Sequence, residues 1–141
     1  MKMLIAVDGS EPARRAIEAA GRLARQMASA EVLLLNVADA MVFYGELPPF
    51  DLEAVERAQR LHQDKLLAEA EAHARACGLQ KVGVQSAVGL PAQEIVRVAG
   101  EHGVDQIVMG THGRGAVGSL LLGSVAQRVV HQAKVPVLLV R

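Results

Sequence analysis

Short apolar runs alternate with longer segments of helical periodicity along the whole chain. The runs have the length of strands and are rich in leucine or β-branched residues. They cover 3–7, 32–37, 82–88, 106–110 and 135–140. Three of them are nearly continuous in hydrophobicity, as is typical of strands covered on both faces. The pattern predicts five buried strands.

The segments between these strands predict four helices. Ser10 suits an N-cap and Pro12 a first helical turn, and apolar residues at helical spacing follow on one face. Gly78 is placed as a C-terminal stop for the second helix. The four helices are predicted to run from Ser10 to about Met27, from Asp51 to Cys77, from Pro91 to about Gly103, and from about Ser124 to Ala133.

Strict alternation of strands and helices predicts the α/β class, with right-handed crossovers and a five-stranded parallel sheet between two helical layers. At 141 residues the chain is expected to form one domain over 1–141. Ligands of such sheets bind beyond the carboxyl ends of the strands, where the strand order reverses. The segments to inspect are therefore 8–10, 37–39, 89–91 and the stretch after the fourth strand.

The charge of the chain bears on which classes of partner it can bind. Fifteen basic and fifteen acidic residues balance, which argues against nucleic acid and acidic membranes as general partners. The distribution is uneven, because no acidic residue follows Asp105 whereas Arg114, Arg128, Lys134 and Arg141 do. An anion site in this basic quarter would benefit from that charge.

Localisation is predicted from what the chain lacks. No apolar run approaches the roughly 20 residues of a membrane-spanning helix, and MKMLIAVDGS has no cleavage site of the signal-peptide kind. Cys77 is the only cysteine, which excludes an intramolecular disulfide and suits a reducing compartment. We expect a soluble, cytoplasmic protein.

The stretch MGTHGRGAVGSLLLGSVAQRVV, 109–130, contains five glycines between a predicted strand and a predicted helix. Glycines before a helix N-terminus let unpaired amides approach a phosphate. The stretch is not a Walker A loop, because Ser124 follows Gly123 directly, where that loop has a lysine. Nor is GRGAVG, 113–118, a dinucleotide fingerprint, because it does not follow the first strand and no acidic residue comes after it.

A third pattern fits in full. Gly110, Gly113, Gly123 and Ser124 reproduce the spacing G-x2-G-x9-G-[S/T], and the chain resembles the universal stress protein family, in its ATP-binding subgroup. The resemblance extends over the whole length, through AVDGS, MGTHGRG, LLGSVAQRVV and the closing PVLLVR. It implies a Rossmann-like sheet of the adenine nucleotide alpha hydrolase-like form. It also implies that ATP, ADP or AMP, with Mg²⁺ expected alongside, lies between the first and fourth strands.

On the phosphate side, the resemblance implies that Gly110 and Gly113 admit the ribose and phosphates. Gly123, with the hydroxyl and amide of Ser124, would hold the phosphates at the start of the last helix. Val125 would add a further backbone amide.

On the adenosine side, the resemblance places Asp8 near the nucleoside and Val37 at the adenine edge. Ala6 and Val7 would form a wall of the pocket, and Met109 would pack near the base.

Two residues of the same stretch have open roles. Arg114 follows Gly113 and either pairs with a phosphate or is simply solvated. His112 has no partner histidine at a metal-ligand spacing, and we expect it to shape the loop or contact the ribose. No metal-binding residues and no catalytic residues are predicted.

Three functions remain open at this point. The first is a nucleotide-dependent regulator or stress-response binding protein, in which bound nucleotide changes what the protein engages. The second is a weak ATPase or autokinase, although Asp8 is the one carboxylate placed to reach the site. The third is a nucleotide-free dimerisation or interaction module. An enzyme is the less favoured alternative.

Two further segments carry expectations. The hydrophobic last strand, 135–140, would be exposed at a sheet edge unless covered, and the family's dimer uses this strand, so a homodimer through it is expected. The segment 41–51 holds all three aromatic residues, Phe43, Tyr44 and Phe50. They either cover a bound base or a partner surface, or attach the segment to the core.

Overall fold

The protein is described by a computed structural model in which residues 1–42, 44–46, 49–113 and 121–141 are described. The described residues form five strands and four helices, which alternate strictly. They are β1 (Lys2–Ala6), α1 (Glu11–Ala24), β2 (Glu31–Ala38), α2 (Leu52–Ala76), β3 (Lys81–Val88), α3 (Pro91–Glu101), β4 (Gln106–Gly110), α4 (Ser124–Gln132) and β5 (Val137–Val140). Among the described residues, no helix combines the length and apolar character needed to cross a membrane.

The strands form one parallel sheet in the order β3-β2-β1-β4-β5. The predicted α/β class and five-stranded parallel sheet are confirmed. Strand order runs outward in both directions from the middle of the sheet, so it reverses between β1 and β4. The carboxyl ends of these two strands therefore border the crevice in which such sheets bind ligands.

Helices cover both faces of the sheet and divide the core into two layers. Helices α1 and α2 pack on one face, where Met3, Ile5, Leu34 and Val108 are buried to 0% exposure. Helices α3 and α4 pack on the other, around Leu4 and other buried side chains of β2 and β4. Strands β1, β2 and β4 are thus covered on both faces, which explains their continuous apolar sequences.

Local signals account for most helix boundaries. Ser10 Oγ accepts a hydrogen bond from the amide of Ala13 at 3.3 Å and begins α1, and Asp51 Oδ1 accepts one from the amide of Ala54 at 3.1 Å and begins α2. Gly78 follows α2 with φ +92°, a conformation that favours glycine.

Two elements are shorter than predicted. Helix α1 ends at Ala24 rather than near Met27, because the amides of Gln26 and Met27 bond three residues back in tight turns. Strand β5 begins at Val137 rather than at 135. Pro136 has no amide hydrogen to donate, and only its carbonyl joins the ladder, accepting from the amide of Ile107 at 3.0 Å.

Candidate functional site

A cavity of about 690 Å³ opens at the carboxyl ends of β1, β2 and β4. It lies at the reversal of strand order, where the sequence placed the site, and its volume falls in the range of small-molecule sites. Helix α2 forms one wall, and the start of α4 with the end of β4 forms the opposite one.

The structure brings nearly all of the predicted site residues to this cavity. Those that line it are Ala6, Val7, Asp8, Val37, Met109, Gly110, His112, Gly113, Gly123, Ser124 and Val125. Arg114 lies outside the described residues, so its role stays a prediction. Residues from three strands and one helix thus meet here, although they are more than one hundred positions apart in the chain.

The turn after β1 orients Asp8. Gly9 has φ +80°, in the left-handed region, and the Asp8 carboxylate accepts a hydrogen bond from the amide of Ser10 through Oδ1 at 2.9 Å. Its second oxygen faces the glycine-rich stretch, since a Cβ built on Gly113 would lie 3.0 Å from Oδ2. Asp8 therefore borders the space beside Gly113.

The two ends of the glycine-rich stretch are joined. The amide of Gly123 donates to the carbonyl of Thr111 at 2.8 Å, and His112 Nε2 bonds to the carbonyl of Leu121. On the other side of the ring, His112 Nδ1 lies 3.0 Å from the Thr111 hydroxyl. The His112 side chain thus links residues nine positions apart, and its role, loop shaping or a ribose contact, stays a prediction.

Helix α4 begins directly at the cavity wall. Gly123 is its N-cap residue and supplies no side-chain oxygen to the first amides. No acidic residue lies in the first turn, so the positive end of the helix dipole has no neutralising charge of its own. Such a helix start favours an anion.

Gly110 and Gly113, two glycines of the motif, have different structural roles. A Cβ on Gly110 would lie 2.6 Å from Pro12 Cβ and 2.9 Å from the Pro12 carbonyl carbon, so this glycine lets α1 approach the end of β4. A Cβ on Gly113 would meet only the Asp8 carboxylate within 4 Å among the described atoms. Gly110 is therefore needed for helix packing, a reason that the sequence reading had not found, whereas Gly113 keeps the cavity open.

Sequence reasoning missed the polar residues on the α2 side. Gln59, His62 and Gln63 of α2 line the cavity together with Asn36 of β2. Asn36 carried a signal, because it is a polar residue in the apolar run VLLLNV and is only 6% exposed. Gln63 carried none, since α2 is rich in polar residues along its whole length.

Among the described residues, the cavity is lined by two carboxylates and by no Phe, Tyr or Trp side chain. Asp8 and Asp39 are the carboxylates among the described lining residues. No group of three His, Cys, Asp or Glu side chains within the described ranges is arranged to hold a metal ion. Tyr44 is 93% exposed, so in this structure it neither covers the cavity nor attaches its segment to the core, and Phe43 lies outside the described residues.

Comparison with known proteins gives one consistent result. A model of the universal stress protein family matches residues 1–141. A universal stress protein of Thermus aquaticus is 42% identical over 141 residues, covering 99% of this chain and 97% of that protein. Among solved structures, MJ0577 of Methanocaldococcus jannaschii superposes with a TM-score of 0.72 at 32% identity, covering 99% of this chain and 94% of that one.

Two more distant structures share the fold, each at 24% identity. One is a universal stress protein in complex with cAMP, with a TM-score of 0.77 over 100% of this chain and 97% of that one. The other, from Archaeoglobus fulgidus, is in complex with dAMP, with a TM-score of 0.69 over 100% and 98%.

Proposed function

The chain belongs to the universal stress protein family, and we propose that it is an ATP-binding member that acts as a nucleotide-dependent regulator or stress-response binding protein. The observation that carries the proposal is the cavity itself. It joins the predicted residues of β1, β2 and β4 to the uncapped start of α4 in a space of about 690 Å³.

The triphosphate would lie at Gly113, Gly123 and Ser124. There the amides of Ser124 and Val125, at the first turn of α4, can donate to phosphate oxygens, and the Ser124 hydroxyl adds a donor. Asp8 and Val37 would then contact the adenosine.

Magnesium would enter with the triphosphate. Mg²⁺ is usually held by phosphate oxygens, water and one or two carboxylates rather than by an all-protein cage. The Ser124 hydroxyl lies at the proposed phosphate site and is an oxygen group that suits this role. The ion would neutralise phosphate charge and thereby favour binding.

Two relatives of the same fold support an adenine nucleotide as the ligand class. They were solved with cAMP and with dAMP, and both molecules combine an adenine base with a phosphate. The ends of the glycine-rich stretch are joined by hydrogen bonds of Thr111, His112 and Gly123. These bonds would fix one side of the proposed phosphate site, which suits such a ligand.

The nucleotide that the protein carries from its cell is a direct test. We expect protein purified without added nucleotide, then denatured, to release ATP, ADP or AMP in an amount approaching one per chain, as measured by chromatography and mass spectrometry. Recovery of ADP with ATP would favour slow hydrolysis, the alternative function. Absence of any adenine nucleotide, together with failure to bind added Mg-ATP, would leave the interaction-module alternative.

The assembly proposed with this function is a homodimer through β5. This strand lies at one edge of the sheet, and Val137–Val140 are all half-buried in the single chain. Hydrophobic edges that stay unpaired promote association, and two β5 strands related by a two-fold axis would cover each other. Light scattering should give twice the chain mass of 14.9 kDa; the mass of one chain would contradict the dimer.

A further inference from the structure

Gln63 is a buried polar side chain at the floor of the cavity. It lies on α2, is only 2% exposed, and is followed by the core residues Leu66 and Leu67. Burial of an amide is costly unless its donors and acceptors are satisfied. Its hydrogen bonds therefore determine what it presents to the cavity.

A chain of hydrogen bonds orients the Gln63 amide. Asn36 Nδ2 donates to the carbonyl of Val7 at 2.7 Å, so Asn36 Oδ1 must point the other way, towards Gln63. Gln63 Nε2 then donates to Asn36 Oδ1 at 3.0 Å and to the carbonyl of Ala87 at 3.0 Å. Turning the Gln63 amide over would set its oxygen against two other oxygens, so one orientation is enforced.

The carbonyl oxygen of Gln63 is left as an acceptor. Among the described residues, Gln63 Oε1 has no hydrogen-bond partner. Every described side-chain oxygen or nitrogen that is fully enclosed does have a partner, so Oε1 is not fully enclosed. Oε1 therefore borders accessible space, and the space next to Gln63 is the cavity. Gln63 Oε1 is thus a hydrogen-bond acceptor of fixed orientation at the cavity, and it can bind a donor group of the ligand.

We propose that Gln63 is a specificity-determining residue that selects adenine by accepting a hydrogen bond from its exocyclic amino group. The inference rests on the proposed function, because it assumes an adenine nucleotide in the cavity. It adds a side-chain contact for the base on α2, an element in which the sequence reading placed no site residue.

The position of Gln63 assigns it to the base rather than to the phosphates. Its amide joins the ends of β2 and β3 through Asn36 and Ala87, whereas the proposed phosphate site follows β4. β2 and β4 flank β1, so the two ends of the cavity are about 10 Å apart at the usual strand spacing. A nucleotide with its phosphates beside α4 would direct its base towards Gln63.

The chemistry of the bases makes the acceptor selective. The ring nitrogens of adenine are acceptors, and its amino group is its donor. Guanine carries an oxygen acceptor at the same ring position, which would face Gln63 Oε1 without a proton between them. A fixed acceptor therefore favours adenine and disfavours the corresponding oxo base.

The test compares ATP with purine riboside triphosphate, in which hydrogen replaces the amino group. We expect calorimetric titration to show that the protein binds ATP about tenfold more tightly, the effect of one buried hydrogen bond. In Gln63→Met, which has no acceptor oxygen, the preference should disappear, so that the two nucleotides bind with about equal affinity. Gln93→Met, the same replacement at an exposed position of α3, should retain it.

A conservative variant separates selectivity from folding. Gln63→Met removes two donated hydrogen bonds and can lower stability, so Gln63→Glu serves as a second variant. Burial beside the oxygens of Asn36 and Ala87 favours the neutral glutamic acid. In that form it would donate its proton to the Ala87 carbonyl and keep one oxygen towards the cavity, so we expect the ATP preference to persist.

The outcomes distinguish failure of the proposed role of Gln63 from failure of the proposed function. Equal affinity of the wild-type protein for the two nucleotides, or an ATP preference that persists in Gln63→Met, would overturn the role of Gln63 and leave nucleotide binding intact. Loss of the preference in Gln63→Glu would also overturn it. Binding of neither nucleotide would overturn the proposed function and this inference with it.

Discussion

Replacing Gly113 with valine should lower the affinity for Mg-ATP by about fivefold to more than a hundredfold while the protein stays folded. Gly113 does not have the positive φ that only glycine adopts readily, so the backbone can accept a side chain. The new Cβ would lie 3.0 Å from Asp8 Oδ2, and the two methyl groups beyond it would occupy the phosphate end of the cavity. Overpacking that costs about 1–3 kcal/mol in the complex alone corresponds to a loss of affinity of about fivefold to more than a hundredfold.

Calorimetric titration measures this effect, and the melting temperature without ligand serves as the control for folding. Gly113→Ala should give an intermediate loss, because it adds one methyl group beside a carboxylate that can shift. Wild-type affinity in Gly113→Val would show that ligand does not approach residue 113 and would remove the phosphate site from this part of the cavity.

Replacing Gly110 with alanine should instead destabilise the fold. Its Cβ would lie 2.6 Å from Pro12 Cβ and 2.9 Å from the Pro12 carbonyl carbon. Neither atom belongs to a flexible side chain, and Gly110 is fixed by its pairing with Val140. Helix α1 must move away from β4, and we expect the free energy of unfolding to fall by about 1–3 kcal/mol, as measured by chemical denaturation.

Gly100→Ala is the matched control for this substitution. Gly100 lies in α3, and a Cβ there would meet nothing within 4 Å among the described atoms. Because glycine is unfavourable in a helix, the control should raise stability by about 0.5–1 kcal/mol. An unfolding free energy in Gly110→Ala equal to that of the wild-type protein would contradict the packing role of Gly110.

Most of the architecture could be predicted because its signals are local. Ser10 and Asp51 lie within three residues of the amides that they cap, and the continuous apolar runs directly reflect strands covered on both faces. The place of the cavity followed from topology alone, since the carboxyl ends of parallel strands meet where their order reverses. Signals of this kind need no knowledge of distant contacts.

The parts that could not be predicted depend on residues far apart in the chain. The need for glycine at 110 comes from Pro12, almost one hundred positions earlier, and motif spacing suggested a ligand as the reason instead. The orientation of Gln63 depends on Asn36, Val7 and Ala87, which come from three different strands or strand ends. A glutamine on a polar helix shows nothing in the sequence that separates it from its exposed neighbours.

Tyr44 also illustrates this limit. Clustering of aromatic residues in 41–51 suggested either a cover for a base or attachment to the core. Tyr44 is 93% exposed, so neither alternative describes this residue. Residue type alone does not determine which surface an aromatic side chain reaches.

The central claim is that the cavity between β1, β2, β4 and α4 binds an adenine nucleotide, and titration of the nucleotide-free wild-type protein with Mg-ATP tests it most directly. We predict saturable binding of one ATP per chain. At a ligand concentration of about one hundred times the dissociation constant, binding should also stabilise the fold by roughly 2.7 kcal/mol and raise its melting temperature. A titration without binding heat and a melting temperature unchanged by Mg-ATP would contradict the claim.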